Sequence, residues 1–228
     1  GYYCNPIQYA EHRKTLENVI CTAGKFGATH VSTFAGAWEG KPVESAYEEF
    51  GKVFRELADL AEEKGVKLGI ENCLMDGTWE HATCNIGFNP KAWEVMFEEV
   101  KNDNFGLEWE PTHQMVQLID PVTELRKWCK KIVHIHGKDA TIDWDAVRHS
   151  GISGAVPFVW HRMPGFGDTN WRDIISILRS NGYEDDICIE GYHDPVYSGE
   201  LEMTGQLHAL NYLKWCRGGD FTPTPWAK

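Results

Sequence analysis

Lys131-Ile-Val-His-Ile-His-Gly-Lys-Asp139 is the most informative segment of this sequence for predicting the fold. It begins with β-branched apolar residues, which favour a strand, and it ends in polar and flexible residues. Because side chains alternate between the two faces of a strand, His134 and His136 share one face, and Val133 and Ile135 share the other. Two imidazoles at a strand end are as typical of hydrogen-bonded core histidines as of a functional site. The residues at the ends of the other strands are therefore needed to choose between these two interpretations.

Three further apolar segments end in the same way. Each runs through hydrophobic residues and then presents a carboxylate, at Glu71, Glu110 and Glu190, and His113 follows three residues after Glu110. Since the carboxyl ends of parallel strands meet at one edge of a sheet, these acids and imidazoles indicate one shared polar site.

Strand-like segments alternate with amphipathic helices along the whole chain, which predicts βαβ units and a parallel sheet. The stretch around Trp144 has no clear pattern and is expected to be irregular. A Gly-x-Gly-x-x-Gly fingerprint after the first strand is absent, so a (β/α) barrel fits better than a dinucleotide-binding fold. The predicted strands lie at about residues 28–34, 66–71, 105–110, 131–136, 156–160 and 186–190.

The composition is that of a globular protein, and the length of 228 residues predicts a single domain over residues 1–228. The formal charge of −12 disfavours partners such as nucleic acid and anionic membranes. No apolar run is long enough to span a bilayer, and no secretory leader is visible. Seven cysteines without a Cys-x-x-Cys pair indicate reduced thiols rather than a disulfide framework, and hence a cytoplasmic protein.

A series of short motifs resembles the sugar phosphate isomerase/epimerase family, the xylose isomerase-like TIM barrels. The resemblance extends from the first residues to about Trp215, and the order of the motifs makes it specific. The motifs are Gly1-Tyr-Tyr-Cys-Asn-Pro6, Val31-Ser-Thr-Phe-Ala-Gly36, Ile70-Glu-Asn72, Asn85-Ile-Gly-Phe-Asn-Pro-Lys-Ala-Trp93, Glu110-Pro-Thr-His113, His134-Ile-His-Gly-Lys-Asp139, Arg162-Met-Pro-Gly165, Gly167-Asp-Thr-Asn-Trp171 and Ile189-Glu190.

In that family, two strands and a helix precede the Gly-Tyr-Tyr segment. The resemblance therefore implies an α/β TIM barrel that lacks its first two strands in this chain, because the barrel is N-terminally incomplete or because a second chain completes it. A homo-oligomer is the other form of assembly that we consider.

The resemblance also implies one divalent metal ion held by Glu71, Glu110, His136 and Glu190. Glu110 departs from the pattern, since the family usually has aspartate at this position. Three carboxylates and one imidazole suit Mn²⁺ most, with Co²⁺, Mg²⁺ or Zn²⁺ as other possibilities. The alternative to metal binding is that Glu71 and Glu190 are buried acids that form ion pairs with lysine or arginine.

The family's chemistry assigns further roles by resemblance. Glu71 and Glu190 are the expected catalytic base and acid, and His113 and Lys138 are expected to bond the oxygen that becomes charged. His134, like Glu108, is expected to support the ligands from a deeper layer. The predicted substrate-binding residues are Arg162, Trp38, Asn85 and His134.

The expected activity is that of a sugar isomerase or epimerase that transfers a proton next to the carbonyl group of a small keto-sugar. Ile142 or its neighbours stand where the family's epimerases often carry an arginine, so a lyase that acts on an inosose or a 3-keto-glycoside is the first alternative. An endonuclease IV-like nuclease is less compatible with the negative charge. An inactive subunit is the last alternative.

Overall fold

The computed structural model describes residues 4–220 and 222–226, so Gly1, Tyr2 and Tyr3 of the first motif lie outside the described residues. The chain forms two compact units. The first unit comprises the described part of Gly1–Ile119 together with Lys130–His136 and Asp185–Ile187, and the second comprises Asp120–Cys129, Gly137–Glu184 and the described part of Cys188–Lys228. The single domain over residues 1–228 stays a prediction.

A parallel sheet forms the centre of the first unit, as the alternating pattern predicts. Its strands are β1 (His30–Thr33), β2 (Lys67–Glu71), β3 (Phe105–Trp109) and β4 (Ile132–Gly137), in the order β1-β2-β3-β4. A further short strand is Ile187–Ile189. Neighbours among β1 to β4 pair in parallel, and the register shifts between Leu107 and Glu108. The carboxyl ends of these four strands therefore lie at one edge of the sheet.

The helices of the first unit cover the sheet with apolar faces. They are α1 (Ala10–Ala23), α2 (Tyr47–Glu63), α3 (Pro90–Glu99) and the short α4 (Pro111–Met115). In α2 the buried stripe predicted by the helical period includes Phe50 and Phe54, whose rings pack near Phe105 of β3. Asn89 caps α3, because its side chain accepts a hydrogen bond from Ala92 N.

The second unit corrects two predictions. Its elements are α5 (Pro121–Trp128), β5 (Asp139–Ile142), α6 (Trp144–Ser150), β6 (Val159–Arg162), α7 (Trp171–Ser180) and α8 (Glu202–Cys216). The strand predicted near residues 156–160 lies at β6, but it pairs with β5 in an antiparallel arrangement and not within the parallel sheet. The supposedly irregular stretch around Trp144 is α6, which Asp143 caps by accepting a hydrogen bond from Ala146 N.

All seven cysteines lie in the described ranges, and all are free thiols. We expected most of them to be buried, but only Cys84 and Cys129 are. Within residues 4–220 and 222–226, no helix has the length and apolar character that a membrane span requires.

Candidate metal centre

Three of the four predicted metal ligands meet at the edge of the parallel sheet. Glu71 is the last residue of β2, Glu110 directly follows β3, and His136 lies near the end of β4. His136 Nδ1 is 3.5 Å from Glu110 Oε2 and 4.0 Å from Glu71 Oε1. One ligand atom of each residue lies within 4.8 Å of those of the others. Two carboxylate oxygens and an imidazole nitrogen at this separation can share one divalent ion at bonds of about 2 Å.

The electrostatics of these carboxylates also favour a cation. Burial, followed by the negative charges of Glu110 and Glu108, raises the pKa of Glu71 to about 7. Glu110 is completely buried. Close carboxylates that are removed from water repel one another, and a divalent ion between them removes this repulsion. The residues of the first unit therefore fit a metal ion.

Glu108 orients the ring of His136. Its Oε1 lies 3.3 Å from His136 Nε2, so the other ring nitrogen, Nδ1, faces Glu71 and Glu110. Burial alone would raise the pKa of Glu108, but the bond to His136 and the charge of that ring lower it overall. A carboxylate behind a metal-binding imidazole is the usual way in which proteins set the ring orientation.

His134 lies deeper on the same strand and is buried. Its ring stacks on His30 with 4.0 Å between the ring centroids, and it meets His136 edge-on at 5.7 Å. Burial and the neighbouring His30 lower the pKa of His134, which favours a neutral ring. These contacts are those of a supporting residue, and its binding to substrate stays a prediction.

Two asparagine side chains form hydrogen bonds with the backbone of Glu71 and Glu110. Asn72 Nδ2 donates to Glu110 O at 2.9 Å, and Glu110 N donates to Asn72 Oδ1 at 2.8 Å. Asn85 Nδ2 donates to Glu71 O and to Cys73 O, each at 2.8 Å. We expected Asn85 to wall the substrate pocket and assigned no role to Asn72. The sequence signals for Asn72 are its place directly after a strand-ending carboxylate and its membership of the Ile70-Glu-Asn72 motif.

His113 lies beside Glu110 at the first turn of α4. Its Nε2 is 2.9 Å from Glu110 Oε1. Burial lowers the pKa of His113, but the charge of Glu110 and the hydrogen bond to Cys73 outweigh it and raise the pKa to about 10. The protonated ring can donate a hydrogen bond to a negatively charged oxygen. Cys73, which sequence reasoning did not select, belongs to the same group of side chains.

Trp38 lies in the loop after β1 and is half-buried. This position leaves part of the ring accessible to a ligand, and its role as a wall of the substrate pocket stays a prediction.

The remaining predicted residues lie in the second unit. Glu190 Oε1 accepts a hydrogen bond from Lys138 Nζ at 2.9 Å, and the side chain of Lys138 is buried. Such an ion pair is what we expect if Glu190 is a buried acid paired with lysine and does not bind a metal. The assignment of Glu190 as the fourth metal ligand therefore stays a prediction. Arg162 Nε donates to Asp194 Oδ2 at 3.3 Å, and its guanidinium lies 5.7 Å from the Phe166 ring centroid. Its predicted contact with substrate is likewise untested.

Parallel strands with polar residues at their carboxyl ends are the arrangement found in proteins of the (β/α)-barrel class. The chain belongs to the xylose isomerase-like TIM barrel family, whose model matches residues 4–214.

The curated relatives include an inosose dehydratase of Clostridium tetani, which is 26% identical over 182 residues, or 78% of this chain and 57% of the relative. A rhizopine catabolism protein of Rhizobium meliloti, MocC, is 26% identical over 171 residues, or 74% of this chain and 47% of the relative. The chain thus spans about half the length of the curated relatives it matches.

Solved structures show the same fold. A xylose isomerase domain protein from Planctomyces limnophilus superposes with a TM-score of 0.68 at 20% identity, covering 91% of this chain and 65% of that chain. A D-psicose 3-epimerase crystallised with D-fructose gives a TM-score of 0.69 at 15% identity, covering 96% of this chain and 76% of that chain.

Proposed function

We propose that the chain carries the metal centre of an enzyme that moves a proton next to the carbonyl group of a keto-sugar. The observation that carries this proposal is the convergence of Glu71, Glu110 and His136, with Glu108 fixing the metal-facing nitrogen of His136. A divalent ion bound there supplies a Lewis acid that polarises a carbonyl and stabilises the negative charge left by proton removal.

Different side chains are proposed to remove the proton, to return it and to stabilise the charge that forms. Glu71 is the proposed base, because its carboxylate ends β2 and lies within 4.0 Å of His136 at the proposed metal centre. Glu190 is the proposed partner acid and fourth ligand, with Lys138 beside it. His113 donates to the oxygen that becomes charged. Trp38, His134 and Arg162 are the proposed contacts with the rest of the sugar.

Two reactions begin with this proton abstraction. In isomerisation or epimerisation, which is the main proposal, the proton returns to the same or to the neighbouring carbon. In dehydration, a hydroxyl group on the next carbon leaves as water. The curated relatives named inosose dehydratase favour the second reaction, whereas structural neighbours named epimerases favour the first.

One experiment tests the proposal and separates the two reactions. Protein loaded with Mn²⁺ is incubated with inososes, ketoses and 3-keto-glycosides in deuterated water, and the products are analysed by mass spectrometry. Uptake of solvent deuterium without loss of mass indicates an isomerase or epimerase, and loss of water or of an aglycone indicates a lyase. A folded, metal-loaded protein that does neither with any of these substrates contradicts the proposal. Glu71→Gln is the inactive control.

The metal is proposed to be Mn²⁺, with Co²⁺, Mg²⁺ and Zn²⁺ as alternatives. Metal analysis after loading with each ion tests this choice, and less than about a tenth of an equivalent of every ion would support an inactive subunit. We also propose that the protein binds a small sugar and that it is located in the cytoplasm. We propose further that it forms a homo-oligomer or that a second chain completes the barrel. Absence of binding to abasic DNA at moderate salt would exclude the nuclease.

A further inference from the structure

We propose that Glu71, Cys73 and His113 form a second metal position, which is selective for a thiophilic divalent ion such as Zn²⁺ or Co²⁺. One ligand atom of each of the three side chains lies within 4.8 Å of those of the others. All three belong to the first unit. Glu71 is common to this group and to the first metal centre, so its two carboxylate oxygens can serve two ions.

The orientation of His113 supports this assignment. Its Nε2 is 2.9 Å from Glu110 Oε1, and the ring also makes a side-chain hydrogen bond with Cys73. His136 likewise has a carboxylate, Glu108, at one ring nitrogen. Metal-binding histidines usually have such a carboxylate partner, because it sets both the tautomer and the direction of the ring.

The backbone holds the other two ligands at a suitable spacing. Cys73 lies two residues after Glu71, the last residue of β2, and their ligand atoms lie within 4.8 Å of each other. Asn85 Nδ2 donates to the carbonyl oxygens of both residues, each at 2.8 Å, and Asn85 is completely buried. A single buried side chain therefore fixes both ends of this short segment before any ion binds.

The donor set decides which ion is bound. A thiolate with an imidazole and a carboxylate prefers Zn²⁺ or Co²⁺, whereas Mg²⁺ and Mn²⁺ prefer oxygen ligands. Binding requires an ionised Cys73 and a neutral His113, so it releases protons. The second ion also removes His113 from the substrate, and we therefore expect excess Zn²⁺ to inhibit turnover. This inhibition rests on the proposed function, but the binding itself does not.

Titration of the metal-free full chain with Co²⁺ tests the proposal through the charge-transfer absorption of a cobalt–thiolate bond. The wild-type protein is expected to bind two equivalents and to develop this band. Cys73→Ser is expected to lose the band and to bind one equivalent. Cys21→Ser is the matched control, since Cys21 is an exposed residue of α1, and it keeps both the band and the stoichiometry.

Alkylation of the wild-type protein provides a test that does not depend on the folding of a variant. Co²⁺ is expected to protect Cys73 from iodoacetamide, as measured by peptide mass spectrometry, whereas Mg²⁺ leaves its labelling unchanged. Binding that ends at one equivalent without a thiolate band, or a band that persists in Cys73→Ser, overturns the proposal. If the protein binds one equivalent of Co²⁺ and Cys73 is not a ligand, the second metal position is wrong, but the first metal centre and the proposed function are unaffected.

Discussion

Replacement of Asn85 by alanine tests how the site is held together. The side chain is completely buried and makes four hydrogen bonds. Its Oδ1 accepts from Ala35 N and Gly87 N, each at 3.0 Å, and its Nδ2 donates to Glu71 O and Cys73 O, each at 2.8 Å. Asn85→Ala removes all four bonds and leaves four backbone groups without this partner.

A buried hydrogen bond contributes a net stability of about 0.5–1.5 kcal/mol, so the loss of four bonds costs about 4 kcal/mol. Water that enters the space left by the amide will recover part of this free energy. We therefore expect Asn85→Ala to lower the free energy of unfolding by about 3–4 kcal/mol, which is a large effect for one substitution. Metal affinity should fall as well, because the backbone of Glu71 is released.

Urea unfolding followed by circular dichroism measures the stability, and isothermal titration calorimetry with Mn²⁺ measures the metal affinity. Asn104→Ala is the matched control, since Asn104 Nδ2 donates to Ala58 O and Val66 O at 3.0 and 3.2 Å, outside the candidate ligands. It should cost about 1–2 kcal/mol and leave metal affinity unchanged. A loss below about 1 kcal/mol for Asn85→Ala, or equal loss of metal affinity in both variants, would refute this reasoning.

Three further predictions concern single carboxylates. Glu108→Gln should weaken metal binding by about 10- to 100-fold in calorimetry, because it loosens the orientation of His136, and unchanged affinity would argue against that role. Burial alone would raise the pKa of Asp194, but backbone hydrogen bonds lower it overall in the folded protein. The ionised Asp194 therefore stabilises the fold at pH values above its pKa in the unfolded chain, and this stabilisation is lost as the pH falls through its pKa in the folded protein. Urea unfolding of Asp194→Asn should therefore show a deficit at pH 7 that shrinks below about pH 4, and a constant deficit would contradict this. Glu190→Gln should abolish turnover with an unchanged circular dichroism spectrum, and retained activity would remove Glu190 from the mechanism.

Much of the site could be predicted because it depends on short-range patterns. Glu71 follows an apolar run, and the alternation of side chains along a strand puts His134 and His136 on one face. Knowledge that parallel strands end at a common edge was then enough to expect Glu71, Glu110 and His136 near one another, as the structure has them.

The supporting residues could not be predicted in the same way. Asn72 and Glu110 are 38 residues apart in the chain, and their paired hydrogen bonds form only when β2 and β3 lie side by side. Cys73 carries no local signal that distinguishes it from a buried thiol, and its contact with His113 depends on the position of α4.

We could predict the alternation of strands and helices, the faces of each element and the residues at the strand ends from the sequence, because these follow from the periodicity of the backbone. Three contacts became visible only in the folded chain: β6 pairs with β5, Glu108 lies behind His136, and Asn85 joins Glu71 to Cys73. These contacts depend on distances between residues far apart in the chain, and hydrophobic periodicity carries no information about such distances.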